Sequence, residues 1–296
     1  MTPKISVVVP VYNGEHEIAA CVQSILDIDY PRSDFEVIVI DNASSDRTAE
    51  TARRFPVRYL LQPKRGAAAA RNMGVREARG DCIAFTDSDC VVDRAWLAEL
   101  LKGLAPGTAC VGGMITMPAP RTDFEAYCSE FSAKSQENAM EGNAALFPYI
   151  NTANALFRRE VFGVVGYFDE RFTWAGGEDL DFGWRVHWAG YAMRYVPGAK
   201  VEHRHRSSPG QLFRGYCRYG RGWVMNVRKH PLAARALPPM LLGLGAGELH
   251  ALSRALGRGV WGALFPRSRR ERRFGYYRFL RHLGECCGRV AGALKG

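Results

Sequence analysis

The chain has 296 residues, 47% of them hydrophobic, with 31 glycines and a formal net charge of +10, which is too long for a minimal domain and short for three. No apolar run reaches the roughly 18 residues a membrane span needs, and the short apolar run 5–9 is no signal-peptide core, so neither a full span nor secretion is expected. The eight cysteines (21, 82, 90, 110, 128, 217, 286, 287) form no CxxC and no metal-finger spacing, so they read as small core residues of a reduced, cytoplasmic protein.

In chain order, Ile5-Ser6-Val7-Val8-Val9 is a continuous apolar run ended by Pro10, the pattern of a strand buried on both faces. A turn at Val11-Tyr12-Asn13-Gly14 leads to helical apolar spacing over 15–26. A second buried strand over 35–40 ends at Asp41, and a helix is expected from about 47 to 54, capped by Asp46 or a neighbour. A short strand over 57–61 precedes an Ala-rich helix opened by Gly66, and then comes a strand over 82–86. This strand and helix alternation predicts βαβ units, a mostly parallel sheet and ligands beyond the carboxyl ends of the strands. There is no G-x-G-x-x-G after the first strand and no G-x-x-x-x-G-K-[ST], which disfavours a dinucleotide oxidoreductase and a P-loop NTPase.

The fourth strand ends in Asp87-Ser88-Asp89. If strand geometry persists there, the two carboxylates point the same way and suit a hard divalent cation, Mg²⁺ or Mn²⁺, that also takes phosphate oxygens. A helix over 95–104 and a strand over 108–113 follow, while 121–141 is polar, aromatic and ambiguous. A second acidic centre, Gly176-Gly177-Glu178-Asp179, opens a helix running to about 189, where the helix dipole is expected to keep a carboxylate ionised. A strand over 191–196 leads to Val201-Glu202-His203-Arg204-His205.

Five segments in this order resemble the family 2 glycosyltransferases: Pro10-Val11-Tyr12-Asn13; Val39 through Thr48 around Asp41; Gly66 with Ala70-Arg71-Asn72-Met73-Gly74; Asp87-Ser88-Asp89; and Gly177-Glu178-Asp179 through Arg185. The resemblance covers about 4–205 and implies a GT-A fold, a Rossmann-like, mostly parallel α/β sheet flanked by helices. It implies that Pro10, Tyr12 and Asp41 line the base and ribose of a nucleotide-diphospho-sugar, that Arg71, with Gly66 before it, lies near the diphosphate or base, that Asp87 approaches the ribose or sugar, and that Asn13 and Ser88 belong to the same donor site. Asp89, with Asp87 and His203 (His205 the alternate), would hold the cation. Asp179 would be the base of an inverting transfer, with Glu178 orienting Asp179 or the acceptor. Asn154, Trp174, Gly177 and Arg185 would line the acceptor, a saccharide or a lipid-linked one, as in cell-surface polysaccharide or glycoconjugate assembly. UDP-sugars are the favoured donors.

The implied catalytic domain spans 1–209, its nucleotide-sugar half 1–113 and its acceptor half 114–209, with a basic, mainly helical extension over 210–296. From Arg204 onward 17 Arg and two Lys face three Glu, a net +16, so the first 203 residues are at −6. That asymmetry asks for an anionic partner. The runs Leu237-Pro238-Pro239-Met240-Leu241-Leu242 and Val260-Trp261-Gly262-Ala263-Leu264-Phe265, the second beside Arg267 through Arg273, resemble an interfacial segment. An anionic membrane surface is therefore favoured over nucleic acid, and the enzyme is expected to be cytoplasmic or peripheral on that face. Gln211-Leu212-Phe213-Arg214-Gly215 echoes the Q-x-x-R-W motif of processive members without its Trp, which argues against chain synthesis. A nucleotidyltransferase, a retaining glycosyltransferase and a catalytically silent binding module remain open alternatives.

Overall fold

A computed structural model of the chain describes residues 5–132, 135–142, 146–204, 208–236 and 269–294. His205, the runs 237–242 and 260–265, and Arg267 with Ser268 lie outside the described residues. The described chain divides into two compact units, one of residues 1–118 with 132–204, the other of 119–131 with 205–296.

The first unit is built on one eight-stranded sheet: β1 (Ile5–Val11), β2 (Phe35–Asp41), β3 (Arg58–Leu61), β4 (Cys82–Phe85), β5 (Cys90–Val92), β6 (Thr108–Thr116), β7 (Ala155–Arg158) and β8 (Ala192–His203), in the order β3-β2-β1-β4-β7-β6-β8-β5. The β3-β2-β1-β4 half is parallel, as the alternation predicts. Across the rest, β7 is antiparallel to both β4 and β6, β5 is antiparallel to β8, and only β6 and β8 run together. The sheet is therefore mixed, with four of its seven pairings parallel. β5, unforeseen from the sequence, adds a short antiparallel edge directly after the acidic triplet.

Side chains alternate across β1 and both faces are covered, which explains its unbroken apolar run. Val7, Val9 and Val11 face α1 (Ile18–Leu26) and α4 (Trp96–Lys102) through Ile18, Val22, Ile25, Trp96 and Leu100. Val8, with Ile38 and Ile40, faces α3 (Ala67–Glu77). A Cβ on Gly74 would stand 2.2 Å from Val8 Cγ1, so only glycine lets α3 lie this close to β1. α2 (Thr48–Ala52) and α6 (Ser135–Met140) are short, and α7 (Arg159–Val165) follows β7.

An aromatic cluster sets α8 (Glu178–Trp188) against the sheet. Phe182 of α8 stacks on Phe168 at 4.5 Å and meets Phe157 of β7 edge-on at 5.4 Å, while Phe168 meets Phe85, the last residue of β4, at 5.8 Å. Each such pair contributes about 0.5–1.5 kcal/mol beyond its burial. The cluster fixes the start of α8 relative to the end of β4, and these two points carry the two acidic centres.

The second unit contains α5 (Asp123–Ser132), α9 (Pro209–Lys229), α10 (Pro231–Ala236) and α11 (Arg269–Leu294). α9 and α11 run side by side in the same direction, since Gly284, Gly288 and Gly292 meet Phe213, Cys217 and Arg221 in turn. A Cβ on Gly288 would stand 1.9 Å from the Cys217 carbonyl oxygen, so this glycine row lets the two backbones touch. α5 packs on α11 through Phe124–Tyr277 and Tyr127–Phe274 ring contacts and an Arg273–Asp123 ion pair at 2.7 Å. Among the described residues no helix is long and apolar enough to cross a membrane.

Candidate active site

The parallel register brings Val11 opposite Asp41, so the turns after β1 and β2 leave from one edge of the sheet. They are laced together. Asn13, in the left-handed region at φ +49°, accepts the Ser45 N–H on Oδ1 at 2.9 Å, and its own N–H donates to Ser44 Oγ at 2.9 Å. The Gly14 N–H donates to Thr48 Oγ1, and Asp46 accepts from the N–H groups of Glu15 and Thr48. Asn13 thus shapes the loop, and its side-chain oxygen is committed there. Ser88 lies beside Gly14, whose Cβ position is 3.6 Å from Ser88 Oγ.

Pro10 lies within β1, which ends at Val11, and Tyr12 follows, 49% exposed with the Arg65 guanidinium 3.8 Å above its ring. This cation–π pair offers a flat platform. Asp41 is buried, accepting from the Ser44 N–H at 2.8 Å and from the Tyr59 hydroxyl at 2.6 Å. Burial, with this hydrogen bond second, pushes the Tyr59 phenol up to about 12, so it stays a donor that fixes the Asp41 carboxylate. Gly66 caps α3 at φ +130° and donates its N–H to Asn42 Oδ1, alongside the 172–173 backbone.

The strand geometry expected through the acidic triplet does not persist. β4 ends at Phe85, and Asp87 to Cys90 form a turn in which the Cys90 N–H donates to the Asp87 carbonyl at 3.1 Å. The two carboxylates diverge in their partners: Asp87 Oδ1 meets Arg71 Nη2 at 3.2 Å, and Asp89 Oδ1 meets His203 Nε2 at 3.5 Å. The latter contact follows from β5, which pairs Cys90 with His203. His203 Nδ1 lies 3.0 Å from the Arg204 carbonyl oxygen, which can only accept, so Nε2 is the ring nitrogen that faces Asp89.

Asp89, Cys90 and His203 present ligand atoms within 4.8 Å of one another. A carboxylate suits Mg²⁺ or Mn²⁺, and an imidazole beside it can ligate Mn²⁺. Burial pushes the Cys90 thiol well above its usual range, with Asp87 and Asp89 adding to the rise. Burial also raises the Asp89 carboxyl, with His203 opposing and Asp87 adding to the rise. A cation between these groups would reverse that rise.

The second acidic centre starts at Gly177, the cap of α8, at φ +116°, a conformation that strains any other residue. Glu178 is 2% exposed and bound on both oxygens, by Arg71 Nη1 at 2.8 Å and the Gly176 N–H at 2.7 Å. It does not reach an acceptor; it is part of the wall behind Asp179. The Asp179 side chain is 20% exposed and accepts from the Thr152 N–H at 3.2 Å and the Thr152 hydroxyl at 3.1 Å, with Arg71 Nη1 at 3.7 Å. Burial pushes its carboxyl up to about 7 despite the opposing Arg71, with Glu178 and Asp87 adding to the rise. Desolvation and like charge therefore outweigh the helix dipole expected to keep it ionised.

Two expected acceptor residues are structural. Asn154 is fully buried, accepting from Trp96 Nε1 at 2.8 Å and donating to the Met114 and Ala199 carbonyls at 2.9 Å each, which uses its amide completely. Arg185 ties α8 to its own loop through Asp181 at 2.8 Å and the carbonyls of Val165 and Tyr167. Trp174, half-buried, and Gly177 remain in the loop before Asp179. Arg71, expected near the diphosphate or base, is buried among three carboxylates.

Four contributors carried no assigned role: Thr152 holds Asp179, Tyr59 holds Asp41, Arg65 covers Tyr12, and Asn72 clamps the acidic loop. Asn72 accepts the Phe168 N–H and donates to its carbonyl and to Glu170, as a strand partner would. Only Asn72, next to Arg71 in the motif, was signalled by position. The other three depend on pairings between distant segments.

Residues 6–166 match the Glycosyl transferase family 2 profile. The chain is 30% identical over 287 residues to glycosyltransferase AglE of Haloferax volcanii, covering 90% of each chain. It is 28% identical to the pre-mycofactocin glycosyltransferase of Mycobacterium tuberculosis over 84% of its own length and 55% of that protein. The backbone resembles the mannosyltransferase PcManGT of Pyrobaculum calidifontis, solved with GDP-Man and Mn²⁺, at TM-score 0.59 and 22% identity, over 96% of this chain and 87% of that one. With a GT-A-like mixed sheet and a matching profile across more than half its length, the chain belongs to glycosyltransferase family 2.

Proposed function

We propose that this glycosyltransferase moves a sugar from a nucleotide-diphospho-sugar to an acceptor hydroxyl in one inverting displacement, assisted by a divalent cation. The observation that carries the reading is geometric: the partly open Asp179 carboxyl is held by Thr152 and set one guanidinium away from Asp87, and burial pushes it up to about 7. Asp179 takes the proton of the attacking hydroxyl; a base near neutrality suits that transfer at physiological pH. Thr152 holds the base in place and Glu178 closes the wall behind it, while Asp87, the other open carboxylate on Arg71, is held by that guanidinium on the nucleotide side.

Asp89 and His203, with Asp87 adjacent, would hold Mg²⁺ or Mn²⁺. When bound, such a cation supplies Lewis-acid neutralisation of charge on the leaving diphosphate. The Tyr12–Arg65 platform and Asp41 flank the place of the base. The GDP-Man and Mn²⁺ bound by the Pyrobaculum enzyme support a nucleotide-sugar and a divalent cation; the family resemblance favours a UDP-sugar. We read residues 1–209 as the catalytic part and 210–296 as a basic extension. Exposed Arg214, Arg218, Arg270 and Arg278 support docking of that extension on anionic lipid, near a saccharide or lipid-linked acceptor. Such an enzyme would work on the cytoplasmic face.

Calorimetry with UDP, GDP and dTDP, with and without Mn²⁺, tests the donor site on wild type and Asp89→Ala. The expected result is binding of one nucleotide that needs Mn²⁺ and is lost in the variant. Binding of none by folded protein, or binding indifferent to Mn²⁺ and to Asp89, would overturn the assignment.

A further inference from the structure

Arg71 lies behind the site rather than in it. It is 4% exposed, and its Nε is sealed from solvent. Its Nη1 meets Glu178 at 2.8 Å and Asp179 at 3.7 Å, and its Nη2 meets Asp87 at 3.2 Å. The side chains facing outward are Asp87, 30% exposed, and Asp179, 20% exposed, whereas Arg71 and Glu178 form the closed rear. Three carboxylates more than neutralise the guanidinium, so an incoming phosphate would have to displace one of them from a buried ion pair. The cation is therefore spoken for by protein.

The guanidinium instead joins parts of the chain that are distant in sequence. Asp87 sits in the turn after β4, and Glu178 and Asp179 begin α8. A planar fork can hold both in fixed relative positions, which a flexible ammonium cannot. The α3 helix that carries Arg71 is itself pinned, by Gly74 against Val8 and by Asn72 against the Phe168 backbone.

We propose that Arg71 is a positioning residue, tying Asp87 on the nucleotide side to Glu178 and Asp179 on the acceptor side, without touching the donor's diphosphate. The inference rests on the function proposed above. By fixing Asp179 relative to Asp87 it sets the line between acceptor oxygen and sugar carbon, and small misplacements there cost about 100-fold in rate.

The test uses the full chain with Arg71→Met and Arg71→Lys. Nucleotide affinity is read by calorimetry with UDP, GDP and dTDP, and kcat and KM by turnover of the donor whose nucleotide binds. Affinity is expected to stay within about threefold in both variants while kcat falls about 100-fold or more in Arg71→Met, with about tenfold recovered by lysine. A tenfold or greater loss of affinity at unchanged kcat, or no change in either, would overturn the proposal. If Arg71→Met does not fold, Arg71→Lys decides alone: kcat lowered at unchanged affinity supports the bridge, and any other pattern overturns it. If the wild type binds no nucleotide, the donor reading fails. The bridge is then read from melting temperatures of Arg71→Lys, Asp87→Asn and the double variant, where non-additive shifts support it and additive shifts overturn it.

Discussion

Asp179→Asn separates chemistry from stability. The rise of the carboxyl from its ordinary 3.8 to about 7 corresponds to about 4 kcal/mol of penalty on the charged form. Between about pH 4 and 7 the folded chain holds a proton that the unfolded chain has released, so stability falls as pH rises through that window. Asparagine is neutral throughout and removes the penalty. Its carbonyl can still accept from the Thr152 N–H, its amide can donate to the Thr152 hydroxyl, and Arg71 keeps Glu178 and Asp87. The variant should therefore melt no lower than wild type at pH 8, and higher by several degrees if the full penalty is relieved. Loss of the base should lower turnover by about 100- to 10,000-fold. Wild-type turnover should climb about tenfold per pH unit below about 7 and level above it, a limb absent from the variant. Nucleoside-diphosphate release with donor and acceptor, beside thermal melts at pH 8, reads both effects. A variant that turns over within threefold of wild type, or that melts well below it, would refute the reasoning.

Thr152→Val removes the hydroxyl but keeps the N–H donor to Asp179, and turnover should fall about 10- to 100-fold, a charged hydrogen bond being worth about 1.5–3 kcal/mol, with nucleotide affinity by calorimetry unchanged. Asn154→Ala strands Trp96 Nε1 and two buried carbonyls, so the melting temperature should drop by about 10 °C, a cost of about 3 kcal/mol or more. Gly177→Ala forces a side chain to φ +116°, costing about 1–3 kcal/mol, and should slow turnover at constant nucleotide affinity because it displaces the start of α8. Gly288→Val drives a side chain into the Cys217 carbonyl and should lower the melting transition of the helical unit while leaving nucleotide binding intact.

The parallel half of the fold was legible because β1, β2 and β4, buried on both faces, write largely apolar runs such as 5–9 or 35–40. The antiparallel pairings were not, because β5 has three residues and reads as part of the turn after Asp89. The acidic residues stood out by type and order. Their environments did not: that Arg71 is buried among carboxylates, and that Asn154 spends its amide on Trp96 and two carbonyls, depends on contacts between residues far apart in sequence. The parallel seating of α11 on α9 was hidden for a similar reason, since the row Gly284, Gly288, Gly292 has meaning only beside Cys217 and its neighbours.

The most direct test of a single displacement driven by Asp179 is the anomeric configuration of the product, read by proton NMR after transfer from a donor of known configuration. Inversion at the anomeric carbon is expected, with the same configuration in the residual product of Asp179→Asn. Retention in the wild-type product would contradict the single displacement and point to a covalent intermediate on a carboxylate of the site, with Asp87 and Asp179 the two to test.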